Sequence, residues 1–178
     1  MNYKNKLHKI KAFVFDFDGV MTDGAVWVYA DKETVRAGNI KDGYAIQYAV
    51  KKGYKIAVIS GATSMSINNR MDSLGVTDIF TGAGNKISIF NQYLKDNNLQ
   101  ADEVLYMGDD TVDLPVMREV GIAVTVADAP CYMDTAADFR TQHNGGQGAV
   151  REVIDQLLMQ SGKWNDVMSR YGLEDYKF

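Results

Sequence analysis

Short apolar runs alternate along the chain with longer stretches in which apolar residues recur at helical spacing. The apolar runs predict strands at residues 12–15, 55–59, 78–80, 103–107 and 122–124. The longer stretches predict helices at residues 42–52, 64–74, 86–97, 111–119 and 148–160. Strands that alternate with helices form a parallel sheet with helices on both faces. We therefore expect an α/β, Rossmann-like fold.

Residues 25–38, AVWVYADKETVRAG, interrupt this alternation. Two short apolar stretches flank a polar turn near residues 30–33, a pattern that predicts a β-hairpin. Trp27 and Tyr29 fall on one face of the first strand, because side chains alternate with a period of two. A hairpin is rarely stable unless it packs on something. We favour packing of this face on another subunit over contact with a ligand.

Composition narrows the class of protein. A chain of 178 residues with 46% hydrophobic residues suits one domain, 1–178, with a substantial core. A net charge of −4 and the absence of a long basic run argue against a nucleic-acid partner. The lone Cys131 excludes an internal disulfide and fits a reducing compartment. The first apolar run stops at Asp16, too early for a signal peptide or membrane span, so we expect a cytoplasmic protein without membrane contact.

Acidic residues follow two of the predicted strands. Asp16 and Asp18 end the first, in FVFDFDGVMTDG, while Asp109, Asp110 and Asp113 follow the fourth, in YMGDDTVDLP. Ligands of open α/β sheets bind beyond the carboxyl ends of the strands, so we expect the two clusters to converge. Converging carboxylates repel each other unless a cation joins them, and oxygen ligands without His or Cys favour Mg²⁺. Asp110 and Asp113 also suit ordinary helix-capping and first-turn roles.

Two further strand or helix ends carry groups that suit a phosphate. Ser60 and Gly61 end the second long strand just before a helix start, where a hydroxyl and backbone N–H groups can bind an anionic oxygen. Lys86 opens another helix and can neutralise both a carboxylate and a phosphoryl oxygen. Neither feature alone indicates a site. The order of four such features along the chain predicts a phosphoryl-transfer site.

The carboxylates can divide the chemistry of such a site. Asp16 can attack phosphorus and form an aspartyl-phosphate. Asp18 can protonate the leaving alkoxide and later deprotonate water. The chain must turn after Asp18 to bring both side chains to one place, and Gly19 permits that turn. Mg²⁺ and Lys86 would offset the charge on the transferring group.

These motifs resemble those of the haloacid dehalogenase superfamily of phosphotransferases. DFDGVMTDG resembles the first motif, ISGATS the second, Lys86 the third and GDDTVD the fourth. Over nearly the whole chain, the sequence is similar to the 3-deoxy-D-manno-octulosonate 8-phosphate phosphatase family. The resemblance implies a capless fold and a homotetramer in which each hairpin helps to form a central barrel and neighbouring subunits close the active sites.

The resemblance also implies a ligand set and a reaction. The implied metal ligands are Asp16, the backbone carbonyl of Asp18, and Asp109, with Asp110 and Asp113 in support. The implied reaction is the magnesium-dependent release of inorganic phosphate from the eight-carbon sugar acid phosphate, a step toward lipopolysaccharide. The implied catalytic residues are Asp16, Asp18, Ser60 and Lys86.

Two positions depart from the usual pattern of the family. Ala62 follows ISG where an arginine is usual, and Gln147 replaces an arginine in GGQGAVRE. Arg70 remains on the following helix and can supply some of the missing charge, or it can be a solvated helix residue. The predicted substrate-binding residues are Gly61, Arg70 and Lys86.

Three other functions stay open. A nonulosonate 9-phosphate phosphatase resembles this fold and motif set, and the two missing arginines keep it in consideration. A non-catalytic tetramerisation module would not need Asp16, Lys86 or Asp109. A receiver domain carries its phosphorylated aspartate on a later strand and lacks the D-x-D pair, so the order of the motifs disfavours it.

The C-terminal tail, residues 163–178, carries Trp164, Val167 and Met168 at helical spacing. This apolar stripe predicts that the tail docks on its own chain, packs on a neighbouring subunit, or closes the neighbour's active site.

Overall fold

The structure is a computed structural model that describes residues 3–30 and 34–164. Its strands are β1 Ala12–Phe15, β2 Trp27–Val28, β3 Thr34–Val35, β4 Lys55–Ile59, β5 Asp78–Phe80, β6 Val104–Gly108, β7 Ile122–Thr125 and β8 Phe139–Arg140. Six of them form one parallel sheet in the order β5-β4-β1-β6-β7-β8, while β2 and β3 pair antiparallel in a separate hairpin. The parallel sheet confirms the predicted fold class.

The α-helices are α1 Ile40–Lys51, α2 Met65–Ser73, α3 Lys86–Asn97, α4 Leu114–Met117 and α5 Ala149–Gln160. Short 3₁₀ turns cover Tyr3–Lys9, Ala101–Glu103, Thr111–Asp113 and Cys131–Thr135. The prediction of one helix over 111–119 is wrong, because a 3₁₀ turn capped by Asp110 comes first and α4 is a single turn. Pro115, which lacks an N–H, sits at the start of α4, where no partner for that N–H is needed.

The two faces of the central strand β1 belong to two separate apolar clusters. Phe13 and Phe15 pack with α1 and α5 on one face of the sheet. Ala12 and Val14 pack with α3 and α4 on the other. All four side chains are fully buried, which is why this strand reads as an unbroken apolar run. The prediction of helices on both faces is confirmed.

The hairpin pairs Trp27 with Val35 and Val28 with Thr34. Residues 31–33, which lie between the two strands in the sequence, are outside the described residues. Trp27 and Tyr29 are 59% and 60% exposed. Large apolar side chains exposed together are typical of an interaction surface, so packing of the hairpin on another subunit stays a prediction.

Trp164, in the predicted tail, is buried against Tyr48, with ring centroids 4.6 Å apart. Val167 and Met168 lie outside the described residues. The single-domain organisation and the absence of a cap also stay predictions. Among the residues that the structure describes, no helix has the length and apolarity that a membrane span requires.

Asp42 joins the helices α1 and α5. Its buried carboxylate accepts a hydrogen bond from the backbone N–H of Arg151, at 2.7 Å, in the first turn of α5. The N-cap residue of α5 is Gly148, which has no side chain to do this. Burial raises the pKa of Asp42, although the hydrogen bond from Arg151 opposes the shift. Asp42 thus caps a helix that begins more than a hundred residues away.

A glycine-rich loop, residues 144–148, packs backbone to backbone against the turn that follows Asp18. The N–H of Gly146 donates to the carbonyl of Val20 at 3.0 Å. A Cβ added to Gly145 would lie 1.7 Å from the carbonyl oxygen of Gly19. Because no side chain fits between these two backbones, the loop fixes the position of the turn that carries Asp18.

We predict that Gly145→Ala lowers the free energy of unfolding by about 1–3 kcal/mol or more, because the added methyl forces the loop away from Gly19. Urea denaturation monitored by circular dichroism measures the change. Gly38→Ala is the matched control, since a Cβ there meets only an ordinary contact at 3.6 Å. Equal stability of the two variants would contradict the packing described here.

Candidate active site

The carboxyl ends of β1, β4 and β6 meet at a cleft of about 580 Å³. Most of the predicted site residues line it, and these are Asp16, Asp18, Ser60, Gly61, Lys86, Asp109 and Asp110. The remaining lining residues are Gly19, Gly24, Ala62, Ala83, Gly84, Asn85, Ile87, Val112 and Pro115. The strand ends that the sequence places far apart therefore converge on one crevice.

Lys86 is the buried cation of the cleft. Its Nζ lies 2.9 Å from Asp16 Oδ1 and 2.7 Å from Asp113 Oδ1. Burial lowers the pKa of Lys86, but the two carboxylates outweigh burial and raise it overall, so the ammonium stays charged. Asn85 caps α3 by accepting the N–H of Ser88, which places Lys86 at the first helical position. A helix N-terminus disfavours a cation, and the paired carboxylates offset that cost.

Asp113 is fully buried and accepts hydrogen bonds from four donors. The donors are Lys86 Nζ at 2.7 Å, the Tyr106 hydroxyl at 2.6 Å, and the backbone N–H groups of Asp109 and Asp110 at 3.1 and 3.3 Å. These contacts occupy the oxygens of Asp113. Asp113 therefore fixes Lys86 and the turn that carries Asp109.

Asp16, Asp109 and Asp113 bring carboxylate oxygens within 4.8 Å of one another. Burial and the charge of Asp113 raise the pKa of Asp16, although Lys86 opposes them. The same two causes raise the pKa of Asp109 to about 6. Three carboxylates thus share one ammonium, a charge balance that a divalent cation would complete. Since the oxygens of Asp113 are occupied, Asp16 and Asp109 are the side chains that fit the metal.

Gly19 allows the chain to turn between the two acidic clusters. It adopts a φ of +82°, and a Cβ there would lie 2.0 Å from Asp109 Oδ2. The backbone after Asp18 therefore runs directly against the Asp109 carboxylate. The predicted turn at Gly19 is confirmed, and only glycine fits it.

Ser60 and Gly61, after strand β4, form another part of the cleft wall. Ser60 is buried, and its Oγ accepts the N–H of Ala62 at 3.2 Å. Ser64 begins α2 by accepting the N–H of Ser66, which confirms a helix start next to this wall. A hydroxyl and a helix N-terminus beside the cleft suit the oxygens of a phosphate.

Comparison with known proteins decides the family. A family model described as haloacid dehalogenase-like hydrolase matches residues 72–154. The 3-deoxy-D-manno-octulosonate 8-phosphate phosphatase KdsC of Escherichia coli K12 is 37% identical over 161 residues, 90% of this chain and 86% of the relative. The chain belongs to the 3-deoxy-D-manno-octulosonate 8-phosphate phosphatase family. This membership confirms the predicted class, a magnesium-dependent phosphoric monoester hydrolase.

Solved structures of the family have the same fold. The Yersinia pestis phosphatase is 34% identical, with a TM-score of 0.90 over 92% of this chain and 89% of that one. The Moraxella catarrhalis phosphatase is 27% identical, with a TM-score of 0.91 over 95% and 97% of the two chains. The latter structure is a complex with a magnesium ion, a phosphate ion and a KDO molecule.

Arg70 does not line the cleft that the described residues form. Its guanidinium lies against the N-terminus of α1, where Nη2 donates to the carbonyl of Asn39 at 3.4 Å. A Cβ at Gly43 would meet it at 2.3 Å. The role of Arg70 as a substrate ligand stays a prediction, and the position of Arg70 outside the cleft does not favour that role.

Asp110 occupies the rim of the phosphatase cleft. It caps the turn Thr111–Asp113 by accepting the N–H of Thr111 at 2.6 Å, and it also accepts the Tyr132 hydroxyl at 2.6 Å. Its carboxylate therefore holds the rim together in the capping role that the sequence leaves open for it, while a supporting role at the metal site stays a prediction.

Three residues that contact carboxylates of the site are not singled out by the sequence motifs. Tyr106 holds Asp113, Tyr132 holds Asp110, and Arg36 pairs with Asp18. Tyr106 lies within an apolar strand, so its hydroxyl alone hints at a buried partner. Tyr132 and Arg36 reach the site only through tertiary packing, which local sequence patterns do not report.

We predict that Mg²⁺ affinity rises between pH 5.5 and 7.5. The raised pKa values of Asp16 and Asp109 mean that protons occupy these carboxyls at low pH and must leave before the cation binds. Isothermal titration calorimetry in two buffers with different ionisation enthalpies would detect the released protons. An affinity that stays flat across this pH range would contradict the assignment of these ligands.

Proposed function

We propose that this chain releases inorganic phosphate from 3-deoxy-D-manno-octulosonate 8-phosphate through an aspartyl-phosphate on Asp16. One observation supports this most: Asp16 ends the central strand in contact with Lys86, within reach of Asp109, at the floor of an open cleft. A nucleophilic carboxylate needs such cationic neighbours before it can approach an anionic ester. The substrate proposed here is the one that the names of the relatives reported above give for those proteins.

The first half of the reaction transfers the phosphoryl group to the enzyme. Lys86 holds Oδ1 of Asp16 at 2.9 Å, and the backbone N–H of Phe17 holds the same oxygen at 2.7 Å. Oδ2 of Asp16 is then the oxygen that attacks phosphorus, as the bond from phosphorus to the sugar oxygen breaks. Asp18 gives its proton to the leaving sugar oxygen.

The second half returns the enzyme to its starting state. Water attacks the phosphorus of the aspartyl-phosphate and loses a proton to Asp18, and the bond between Asp16 and phosphorus breaks. Inorganic phosphate leaves and the Asp16 carboxylate is restored. Ser60 and the N–H groups near it bind the phosphoryl oxygens through both halves. A magnesium ion held by Asp16 and Asp109 supplies, when bound, positive charge that offsets the charge of the transferring group.

A nine-carbon nonulosonate 9-phosphate is the second candidate substrate. Ala62 lines the cleft, and among the described residues that line it Lys86 is the one cation. A cleft with so few cations holds the substrate's carboxylate weakly, so the length of the sugar acid is less firmly selected. A purely structural module, in contrast, has no use for a buried Lys86 between two carboxylates.

Phosphate release with Mg²⁺ tests the function. We predict that the eight-carbon substrate is hydrolysed faster than the nine-carbon one, that both exceed glucose 6-phosphate, and that EDTA stops the reaction. Asp16→Asn should reduce release to background because an amide cannot attack phosphorus. Asp72→Asn, an exposed helix position, is the matched control and should keep the rate. Preference for glucose 6-phosphate, or undiminished release by Asp16→Asn, would overturn the proposal.

We also infer a cytoplasmic homotetramer with active sites near the subunit interfaces. The support is the exposed apolar hairpin, whose strand β3 is followed by a residue in contact with Asp18. An exposed surface of this kind is more stable when a second copy covers it.

We predict that Trp27→Glu breaks the assembly, because a charge at a contact that excludes water is costly. Light scattering after gel filtration should give four times 19.8 kDa for the parent chain and a smaller mass for the variant. Lys95→Glu, on the exposed side of α3, is the control for added negative charge. A parent chain that elutes as a monomer would rule out the tetramer.

A further inference from the structure

Arg36, the residue after strand β3, forms a two-point ion pair with Asp18. Its Nε lies 2.5 Å from Asp18 Oδ1, and its Nη2 lies 3.1 Å from Asp18 Oδ2. The side chain of Arg36 is only 8% exposed, although the hairpin that carries it is open to solvent. The hairpin therefore carries a side chain that reaches Asp18, the predicted acid and base.

One further contact fixes the guanidinium of Arg36, and another fixes Thr34, the residue that it bonds. Nη1 donates to Thr34 Oγ1 at 3.1 Å, and the carbonyl of Thr34 accepts the Ser64 hydroxyl at 3.4 Å. Ser64 is the N-cap of α2, which begins beside the cleft wall that contains Ser60. Arg36 is thus held by a hairpin residue that is itself bonded to the start of α2.

The contact with Arg36 joins both carboxylate oxygens of Asp18. Asp18 precedes the tight turn at Gly19, and its side chain is 33% exposed. Among the described residues, Arg36 supplies the hydrogen bonds recorded to its carboxylate. A bidentate guanidinium fixes the plane of a carboxylate, because both N–H groups point the same way. Each carboxylate oxygen keeps a second lone pair, so one oxygen can carry the proton that Asp18 gives to the leaving group while both oxygens still accept from Arg36.

We propose that Arg36 is a positioning residue for Asp18, which it holds with its carboxyl directed toward the sugar oxygen that leaves phosphorus. The inference rests on the proposed function through the acid–base role of Asp18. The competing interpretation is that Arg36 only anchors the hairpin to the domain. The two interpretations predict different changes in the rates of different substrates when Arg36 is replaced.

The leaving group separates the two interpretations. The sugar alkoxide needs a proton as it leaves, whereas p-nitrophenolate leaves without one. The kcat/KM value reports the steps up to the formation of the aspartyl-phosphate, so it isolates this difference. For Arg36→Met we expect kcat/KM for the eight-carbon substrate to fall by about 10- to 100-fold. We expect kcat/KM for p-nitrophenyl phosphate to change less than about threefold.

Conservative replacement and a double-mutant cycle complete the test. Arg36→Lys keeps the charge but not the planar fork, so its kcat/KM for the sugar phosphate should lie between those of the parent and Arg36→Met. In single-turnover experiments, with enzyme in excess over the sugar phosphate, the double variant with Asp18→Asn and Arg36→Met should release phosphate less than about threefold more slowly than Asp18→Asn alone. Arg151→Met removes another Arg–Asp pair, with Asp155 on α5, and should affect both substrates equally.

Three results would overturn the inference. The first is that Arg36→Met lowers kcat/KM for the two substrates by the same factor. The second is that Arg36→Lys has a kcat/KM for the sugar phosphate no higher than that of Arg36→Met. The third is that the effects of Arg36→Met and Asp18→Asn on the rate are fully additive in free energy. Thermal melting of each variant shows whether it is folded, and a methionine variant that does not fold leaves the lysine variant to decide. A parent chain that releases no phosphate from either ester overturns the proposed function as well, whereas a parent that is active and loses activity with Asp18→Asn confines the failure to Arg36.

Discussion

The ion pairs of Lys86 with Asp16 and Asp113 are the interaction on which the site depends. A buried ammonium or carboxylate is costly unless it is paired, and here one ammonium pairs with Asp16, the proposed nucleophile, on one side and with Asp113 on the other. Asp113 in turn holds the turn that presents Asp109. The cluster has a shortage of positive charge, since it contains three carboxylates and one lysine. That shortage is what makes a divalent cation part of the working site.

Close contacts between backbones bring these charges together. Gly19 turns against the Asp109 carboxylate, and a Cβ on Gly108 would lie 2.5 Å from Asp113 Cβ. Gly145 in turn packs on the carbonyl of Gly19. Gly19 and Gly108 each lie directly beside a carboxylate of the cluster, and Gly145 lies against the turn that contains Gly19, so a side chain at any of the three would displace the acidic groups. The geometry of the site therefore depends on these glycines as much as on the charged residues.

The sequence predicts the residues at strand ends better than the residues that support them. Asp16 and Asp109 are predictable because a carboxylate after a buried apolar strand needs a reason to be there, and parallel strands bring their carboxyl ends to one edge. Strand β8 is missed because two residues leave no pattern. Arg36 is missed because its partner is set by tertiary packing, and its local sequence is that of an ordinary hairpin. Asp42 shows the same limit, since the helix it caps begins far along the chain.

Diffraction from crystals grown with Mn²⁺, which replaces Mg²⁺ and scatters anomalously, would show directly which carboxylates hold the cation. We predict one anomalous peak at the cleft, in contact with the side chains of Asp16 and Asp109 and the backbone carbonyl of Asp18, while Asp113 keeps its contacts with Lys86 and Tyr106. A peak coordinated by Asp113, or saturating Mn²⁺ with no peak between Asp16 and Asp109, would contradict it.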